Sequence, residues 1–211
     1  MPKETQEQLK KRAAKILAIL SSTYPDAKCS LDFTNPLELL MATILSAQCT
    51  DERVNIVTKS LFKKYRSAKD YAHAPLTELE QDVRSTGFYR NKTRNILKAA
   101  KVVKEKFHGV LPRTMQEMVA IPGIGRKSAN VILGNAYGVV EGIAVDTHVK
   151  RLAKKLGLTD HDDPVKIERD LMAVIPKKDW FIFTYRLISY GRKYCPARPH
   201  DHANCPLTKI K

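Results

Sequence analysis

The stretch "IPGIGRKSAN", which runs from Ile121 to Asn130, decides the fold of this chain. Its Pro122-Gly123 pair predicts a tight turn, and the residues after Gly125 have a helical pattern. A short helical pattern, "TMQEMVA", precedes it, so the segment predicts two helices joined by a glycine-rich turn. The first N–H groups of the second helix would point outward, where they could hold an anion such as a DNA phosphate.

Two other interpretations of this turn compete with the anion site. A nucleotide-binding phosphate loop does not fit, because no strand precedes the glycines and their spacing is wrong for it. An ordinary connection between two helices stays open from the turn alone. The glycines favour the more specific interpretation, since they let the backbone approach another surface closely.

Lys127 is an unusual residue for the first turn of a helix, where Asp or Glu is favoured. The helix dipole and a partly desolvated pocket would both favour the neutral amine over the ammonium. A neutral amine near neutral pH is the nucleophile that Schiff-base chemistry requires. A solvated or phosphate-pairing lysine is the alternative, and the hairpin alone does not decide between the two.

The chain is strongly basic, with 37 Lys and Arg against 22 Asp and Glu in 211 residues, a net charge of +15. Such a balance favours a polyanionic partner, most often nucleic acid, although basic charge for solubility alone is the alternative. Eight Lys and Arg against one Glu fall within 84–106, and eight against two Asp within 177–211. The two concentrated segments indicate basic surfaces.

The sequence has neither a membrane-spanning pattern nor a secretory one. No apolar run reaches the roughly 18 residues that a span needs, and the first residues lack a hydrophobic signal region. We therefore expect a cytoplasmic protein. Separately, we expect a monomer.

Helical periodicity extends over nearly the whole chain, and strand-like alternation is nearly absent. Leu9, Ala13, Ile16 and Leu20 show the helical spacing in the first such segment. The pattern predicts nine or ten helices and no sheet, which is an all-α fold.

A second informative segment is "GIAVDTHVKRL", from Gly142 to Leu152. Asp146 precedes a helical pattern and is predicted to be its N-cap. A capping carboxylate can still face a pocket, where it could carry a proton or stabilise a developing cation.

Together these two segments resemble the signature of the endonuclease III family of DNA glycosylases, in the helix-hairpin-helix superfamily. "LLMATILSAQCTD", "STGFYRNKTRNI" and "YGRKYCPARP" extend the resemblance to about 39–205. It implies an all-α fold of two lobes with a DNA-binding cleft between them. One lobe would be 30–139, with the helix-hairpin-helix motif at about 114–136, and the other would combine 1–29 with 140–211.

The resemblance also implies an activity, which is removal of oxidised pyrimidines from duplex DNA that contains damaged bases or abasic sites. The lysine matching Lys127 attacks the sugar C1′ and forms a Schiff base, and β-elimination then cuts the strand. The aspartate matching Asp146 assists. The target base has to leave the stack first.

Further residues match family positions that contact DNA. Gln48 and Phe88 match the residues that fill the gap left in the duplex, although an aliphatic residue is common at the position of Phe88. The residues alone also allow that Gln48 merely ends a buried helix and that Phe88 lies in the core. His148 matches a residue near the aspartate, with a helix-surface position as the alternative. The expected set is completed by hairpin residues: Gly123, Gly125, Arg126 and Ser128, the last standing where threonine is frequent.

The C-terminal segment departs from the family pattern. Most members hold a [4Fe-4S] cluster through Cys-x6-Cys-x2-Cys-x5-Cys, and the matching positions here are Cys195, His202, Cys205 and Lys211. We therefore expect no cofactor and a degenerate loop packed by aromatic residues: Trp180, Phe181, Tyr185 and Tyr194. Zinc held by Cys195, His202, Cys205 and another group such as His200 is the alternative.

The remaining cysteine expectations are structural. A disulfide between Cys195 and Cys205 is not expected in a reducing cytoplasm. Cys29 and Cys49 are isolated in the sequence and are expected to be buried thiols.

Two functional alternatives remain beside the bifunctional glycosylase and lyase. A monofunctional glycosylase for a mismatched or deaminated base often has another residue at the position of Lys127. A non-catalytic helix-hairpin-helix DNA-binding module would keep the turn and the basic charge. It would have no need of Lys127 and Asp146 together.

Overall fold

The computed structural model describes residues 4–210, apart from the side chain at 208, and these residues contain eleven α-helices and no strand. The first six helices are α1 (Gln6–Thr23), α2 (Pro36–Leu45), α3 (Asp51–Lys64), α4 (Ala68–Ala72), α5 (Leu76–Val83) and α6 (Tyr89–Lys106). The other five are α7 (Met115–Val119), α8 (Arg126–Tyr137), α9 (Thr147–Lys155), α10 (Pro164–Val174) and α11 (Trp180–Lys193). The predicted all-α fold is confirmed. None of these helices is long and apolar enough to cross a membrane.

The described residues form two compact units. The central unit is Ser30–Val139, and the terminal unit combines residues 4–29 with 140–210. Each unit has a hydrophobic core of its own. The terminal unit therefore depends on both ends of the chain.

The central unit is built around α2, which is buried over seven consecutive residues, 39–45. Asn35 starts this helix, because its side chain accepts a hydrogen bond from Glu38 N and Pro36 occupies the first helical position. Helices α3, α6 and α8 pack against α2, and the short helices α4 and α5 pack against α6. A helix that is apolar all round needs this many neighbours to cover it.

In the terminal unit, α1 packs against α10 and α11, and α9 packs against the same two helices. Their shared core includes Ile16, Leu20, Leu152 and Phe183. Arg12 fastens α1 to the end of α9, because its guanidinium donates hydrogen bonds to the carbonyl oxygens of residues 156 and 157. A side chain of α1 thus satisfies the carbonyls of the two residues that follow α9.

Helices α9 and α11 pack closely together at Gly191. A Cβ atom at this position would lie 3.0 Å from Leu152 Cδ1 and 3.2 Å from His148 Nδ1. Atoms at such distances have to move, and Leu152 is packed in the core of the terminal unit.

We predict that Gly191→Ala lowers the free energy of unfolding of the terminal unit by about 1–3 kcal/mol through overpacking. At a helical position with space around it, a change from glycine to alanine would raise the free energy of unfolding by up to about 1 kcal/mol. The sign of the measured change therefore shows whether Gly191 is tightly packed. Urea unfolding followed by circular dichroism measures it, with Lys193→Ala at an exposed position of α11 as the control. A Gly191→Ala protein at least as stable as the parent would contradict the packing described above.

Candidate functional site

The hairpin between α7 and α8 contains a type II turn. Ile124 N donates a hydrogen bond to Ile121 O at 3.1 Å, and Pro122 and Gly123 are the two central residues. The third residue of a type II turn needs a positive φ, and Gly123 has φ +84°. A Cβ atom at Gly123 would also lie 3.2 Å from Asn95 Cβ of α6. Glycine is therefore required here both by conformation and by close packing.

Gly125 is the N-cap residue of α8 and has an extended conformation, φ −92° and ψ 175°. It has no side chain that could accept from the first N–H groups of the helix. Ile121 and Ile124 are buried, whereas Gly123 and Gly125 are exposed. The two buried isoleucine side chains thus anchor the turn in the central unit, and the positive end of α8 is exposed at the surface.

The charged residues of the hairpin come directly after Gly125 in the sequence. Arg126 and Lys127 are exposed in the first turn of α8, and Ser128 is half-buried. No acidic residue shares that turn. An exposed amine can be reached by a substrate that lies on the hairpin, while the expected neutral form of this amine stays a prediction.

Asp146 is the N-cap residue of α9, as predicted. Its Oδ1 accepts a hydrogen bond from Val149 N at 2.8 Å, and the residue is half-buried. No hydrogen bond to the other carboxylate oxygen, Oδ2, occurs among the described residues. One carboxylate oxygen therefore holds the helix, and the second remains for another group.

Gln48 and Phe88 share an unusual backbone conformation in the central unit. Both are exposed and both have positive φ, 51° for Gln48 and 48° for Phe88. Phe88 is 65% exposed, so the alternative that placed it in the core is wrong. Gln48 lies beyond the end of α2. For a residue other than glycine this conformation costs roughly 1–2 kcal/mol, which the surrounding structure has to offset.

Lys92 supports the segment that presents Phe88. It is only 3% exposed, and its Nζ donates a hydrogen bond to Thr86 O at 2.7 Å. The Thr86 hydroxyl in turn donates to Val83 O at 2.8 Å. Burial lowers the pKa of Lys92. This chain of bonds ties the first turn of α6 back to the residues just before Phe88.

Lys92 is one of the eight basic residues within 84–106 that predict a basic surface, and for this residue the predicted surface position is wrong. The signal that could have revealed it is spacing. Lys92 falls on the buried stripe of α6 with Ile96, Ala100 and Val103, at helical intervals. A lysine on an apolar stripe needs a specific acceptor, which Thr86 provides.

His148 belongs to the first turn of α9, in the terminal unit. It is half-buried, and its Nδ1 is buried without a hydrogen-bond partner among the described residues. The ring packs beside Gly191. The alternative prediction, a histidine on the helix surface, is therefore only partly correct. Its role toward DNA stays a prediction.

The candidate residues therefore fall into three groups. The first group is the set of predicted residues in the hairpin, from Gly123 to Ser128, which lie together because they are neighbours in the sequence. Gln48 and Phe88 lie in the same unit as the hairpin, and Asp146 and His148 lie at the start of α9 in the other unit. Lys92 is the residue that the sequence analysis missed.

A further group lies beyond α11. One ligand atom from each of Cys195, His200, His202 and Cys205 lies within 4.8 Å of the other three. Both cysteines are buried, and neither forms a disulfide. Lys211, the fourth position of the family pattern, lies outside the described residues. The expectation of no cofactor is thus not confirmed, because this group could hold a metal ion.

The other two cysteines are half-buried, whereas full burial was expected. Cys29 lies at the end of the N-terminal part of the terminal unit, and Cys49 lies just before α3. Neither takes part in the group around Cys195.

Residues 41–177 match the family model of the HhH-GPD superfamily base excision DNA repair proteins. Endonuclease III of Synechocystis sp. (strain ATCC 27184 / PCC 6803 / Kazusa) is 50% identical over 201 residues, which cover 95% of this chain and 92% of that protein. Endonuclease III of Bacillus subtilis (strain 168) is 47% identical over 192 residues, covering 90% of this chain and 87% of that protein.

The fold also matches a solved structure closely. A structure described as a non-covalent endonuclease III–DNA complex superposes with a TM-score of 0.91 at 48% identity, covering 95% of this chain and 94% of that one. The match to the superfamily model spans well over half of the chain, and the matches to the two relatives span nearly all of it. The chain therefore belongs to the endonuclease III family, within the HhH-GPD superfamily of base excision DNA repair proteins.

Proposed function

We propose that this chain is a bifunctional DNA glycosylase and AP lyase that removes oxidised pyrimidines from duplex DNA. The observation that carries the proposal is the hairpin, whose type II turn starts α8 so that Lys127 is exposed in its first turn. A structure described as a trapped endonuclease III–DNA covalent intermediate, 48% identical and with a TM-score of 0.91, supports the same chemistry. Base excision repair is also the process named by the matching family model.

The hairpin is the proposed phosphate-binding element. The N–H groups of the first turn of α8 carry partial positive charge, and an exposed arginine, Arg126, adds a full charge beside them. Gly123 and Gly125 are exposed and have no side chains, so the DNA backbone can approach the turn closely. Ser128 offers a hydroxyl to the same phosphate. These contacts would position the DNA without reading its sequence.

Lys127 is the proposed nucleophile. Its neutral Nζ attacks the sugar C1′, the bond from C1′ to the base breaks, and the base departs with a proton. The proton that the amine loses is the one that leaves with the base. The bond from C1′ to the ring oxygen O4′ then breaks, O4′ takes a proton from solvent, and the Schiff base between Nζ and C1′ forms in its protonated state. Removal of a proton from C2′ breaks the bond from C3′ to its phosphate oxygen, which is the lyase step.

Asp146 is the proposed partner of this lysine. Because Oδ1 is held by Val149 N, the carboxylate has a fixed orientation, and Oδ2 is left for the reaction. A carboxylate so placed can stabilise the positive charge that develops on the sugar or accept the proton that the amine loses.

Phe88 and Gln48 are the proposed gap-filling residues. An extruded base leaves a hole in the stack, and an exposed aromatic ring held outward by its backbone can occupy it. Gln48, exposed on a similar left-handed backbone, would offer an amide to the base left unpaired. The strain at both positions is consistent with a local structure that gives up stability to direct these side chains outward.

The expected cytoplasmic location and monomeric state stay predictions that accompany this proposal. A duplex DNA substrate requires access to the genome. The described helices include none that could cross a membrane.

The direct test is borohydride trapping on a duplex that contains one thymine glycol. We predict a covalent adduct with the parent protein and none with Lys127→Ala. Borohydride reduces the imine between Nζ of Lys127 and C1′ to a stable amine, and the variant cannot form that imine. Asp146→Asn should lose most of the adduct while keeping its fold, since asparagine also caps helices well. Lys10→Ala, at an exposed position of α1 outside the two basic segments, is the matched lysine control and should trap normally.

Other results of this test point to other functions. Base release without any adduct would mean a monofunctional glycosylase. Binding of duplex DNA without reaction on thymine glycol or on an abasic site would leave a DNA-binding module. An undiminished adduct with Lys127→Ala would assign the nucleophile to another amine.

A second prediction concerns Phe88→Ala. Release of thymine glycol from duplex DNA should fall at least about tenfold, because the flipped state loses the group that fills the gap. The free energy of unfolding should change by less than about 0.5 kcal/mol, since the ring is exposed. Single-turnover kinetics measures the first quantity and urea unfolding the second. Val110→Ala, at an apolar residue with 66% exposure, should change neither rate nor stability.

A third prediction concerns the buried lysine. Lys92→Met keeps the length of the side chain but leaves the Thr86 carbonyl without its donor, at a cost of about 1–3 kcal/mol in unfolding free energy. Base release should fall as in Phe88→Ala, while the salt dependence of DNA binding stays unchanged because Lys92 is buried and contacts no phosphate. Arg94→Met, at an exposed position of the same helix, serves as the comparison and leaves stability unchanged. A stable, fully active Lys92→Met protein would contradict the supporting role.

A further inference from the structure

The group beyond α11 does not fit the four-cysteine cluster that the family pattern implies. It offers two thiols and two imidazoles, and each thiolate or imidazole of a four-iron cluster would bind a different iron atom. The cluster itself therefore keeps its ligands apart. Here the ligand atoms are close together, as they would be around a single ion.

Two distances within the group match tetrahedral geometry around one zinc ion. Cys205 Sγ lies 3.4 Å from His202 Nδ1 and 3.5 Å from His200 Nε2. Zinc–sulfur bonds of about 2.3 Å and zinc–nitrogen bonds of about 2.0–2.1 Å put neighbouring ligand atoms of a tetrahedron roughly 3.3–3.8 Å apart. The widest separation within the group, at most 4.8 Å, needs only a small closure of side chains that already converge.

We propose that Cys195, His200, His202 and Cys205 bind one Zn²⁺ ion as a structural site. Two thiolates and two neutral imidazoles in a tetrahedron form a donor set that suits zinc. Binding would release the two thiol protons, and the resulting Zn²⁺ complex with two thiolates is neutral, which suits a location where both cysteines are buried.

A second arrangement of the same donor set is a two-iron cluster, in which both cysteines bind one iron and both histidines bind the other. In that arrangement the cluster lies between the cysteine pair and the histidine pair. Cys205 Sγ instead lies beside a nitrogen of each histidine. The contacts therefore favour a single ion.

The surroundings already orient two of the ligands. The Nδ1 atom of His200 lies 2.9 Å from Arg198 O and donates its proton there, which leaves Nε2 as the atom that can bind a metal. Arg151 donates hydrogen bonds to Cys195 O at 2.6 Å and to Cys195 Sγ at 3.7 Å, so a positive charge already lies beside this sulfur. Carbonyl and cation contacts of this kind commonly support metal ligands from outside the coordination shell.

Two existing contacts would change when zinc binds. The Cys205 thiol, which donates to Tyr194 O at 2.7 Å, would lose its proton to solvent. Lys155 contacts the ring nitrogens of His202, and it would turn away because a ring bound to zinc through Nδ1 keeps its proton on Nε2. Lys155 is thus a neighbour of the group and not a ligand.

The proposed ion would fasten the last described segment to the end of α11. Cys195 lies two residues beyond that helix, and the other three ligands lie in or beside the short 3-10 turns His202–Asn204 and Pro206–Lys209. All four positions of the tetrahedron would come from the protein, which is the pattern of a structural site without an open position for substrate. The ion would stabilise the terminal unit and take no part in the chemistry at Lys127.

The test is metal analysis of protein produced in medium that contains both iron and zinc. We expect about one zinc per chain, no acid-labile sulfide and no broad visible absorption of an iron–sulfur cluster. Replacement by Co²⁺ should give the intense visible bands of a tetrahedral site with thiolate ligands. His200→Ala and Cys195→Ser should lose the ion and unfold at lower temperature, whereas Lys155→Met and Cys49→Ser should retain it.

If a variant fails to fold, alkylation of the parent protein provides the test. Zinc should protect Cys195 and Cys205 from alkylation, and a chelator should expose both, while Cys29 and Cys49 react equally with and without it. Iron and sulfide at the site would overturn the proposal in favour of a cluster. Protein that takes up no zinc from excess Zn²⁺, or a His200→Ala variant that keeps its ion, would also overturn it.

Discussion

The left-handed conformation of Gly123 is the constraint on which the candidate site depends. The type II turn at residues 121–124 closes only with a positive φ at this position, and Asn95 leaves little room for a side chain there. The turn sets the direction in which α8 begins. It therefore decides that the positive end of the helix and the amine of Lys127 are both at the surface, where a phosphate and a sugar could meet them.

Much of this arrangement can be predicted from the sequence, because local chemistry decides it. Pro122-Gly123, the Asn35 cap and the Asp146 cap each specify a backbone conformation within a few residues. The predicted nine or ten helices fall short of the eleven in the described residues, because α4 and α5 have only five and eight residues and little periodicity. The equally short α7 was predicted because it directly precedes the glycine turn. Spacing could have revealed the burial of Lys92, but not its acceptor, because Thr86 O ends the 3-10 helix Arg84–Thr86, whose position only tertiary packing decides. The close contact of His148 with Gly191 could not be predicted either, because it joins α9 to α11 and depends on tertiary packing.

The two proposed catalytic side chains belong to different units. Lys127 lies in the central unit, whose core is continuous in sequence, and Asp146 lies in the terminal unit, which both ends of the chain build. The proposed zinc ion belongs to the terminal unit as well. A single ion with four protein ligands would supply the stabilisation of a cross-link without any redox chemistry, so loss of the four-cysteine pattern need not impair the reaction.

The central claim is that the hairpin presents Lys127 as the nucleophile, and the most direct measurement locates the covalent bond itself. The parent protein is reacted with a duplex that contains an abasic site, reduced with borohydride, digested, and mapped by tandem mass spectrometry. The account predicts that the sugar remnant is attached to Nζ of Lys127 and to no other amine. A remnant on another lysine would contradict it, and the turn at Gly123 would then serve only to bind the DNA backbone.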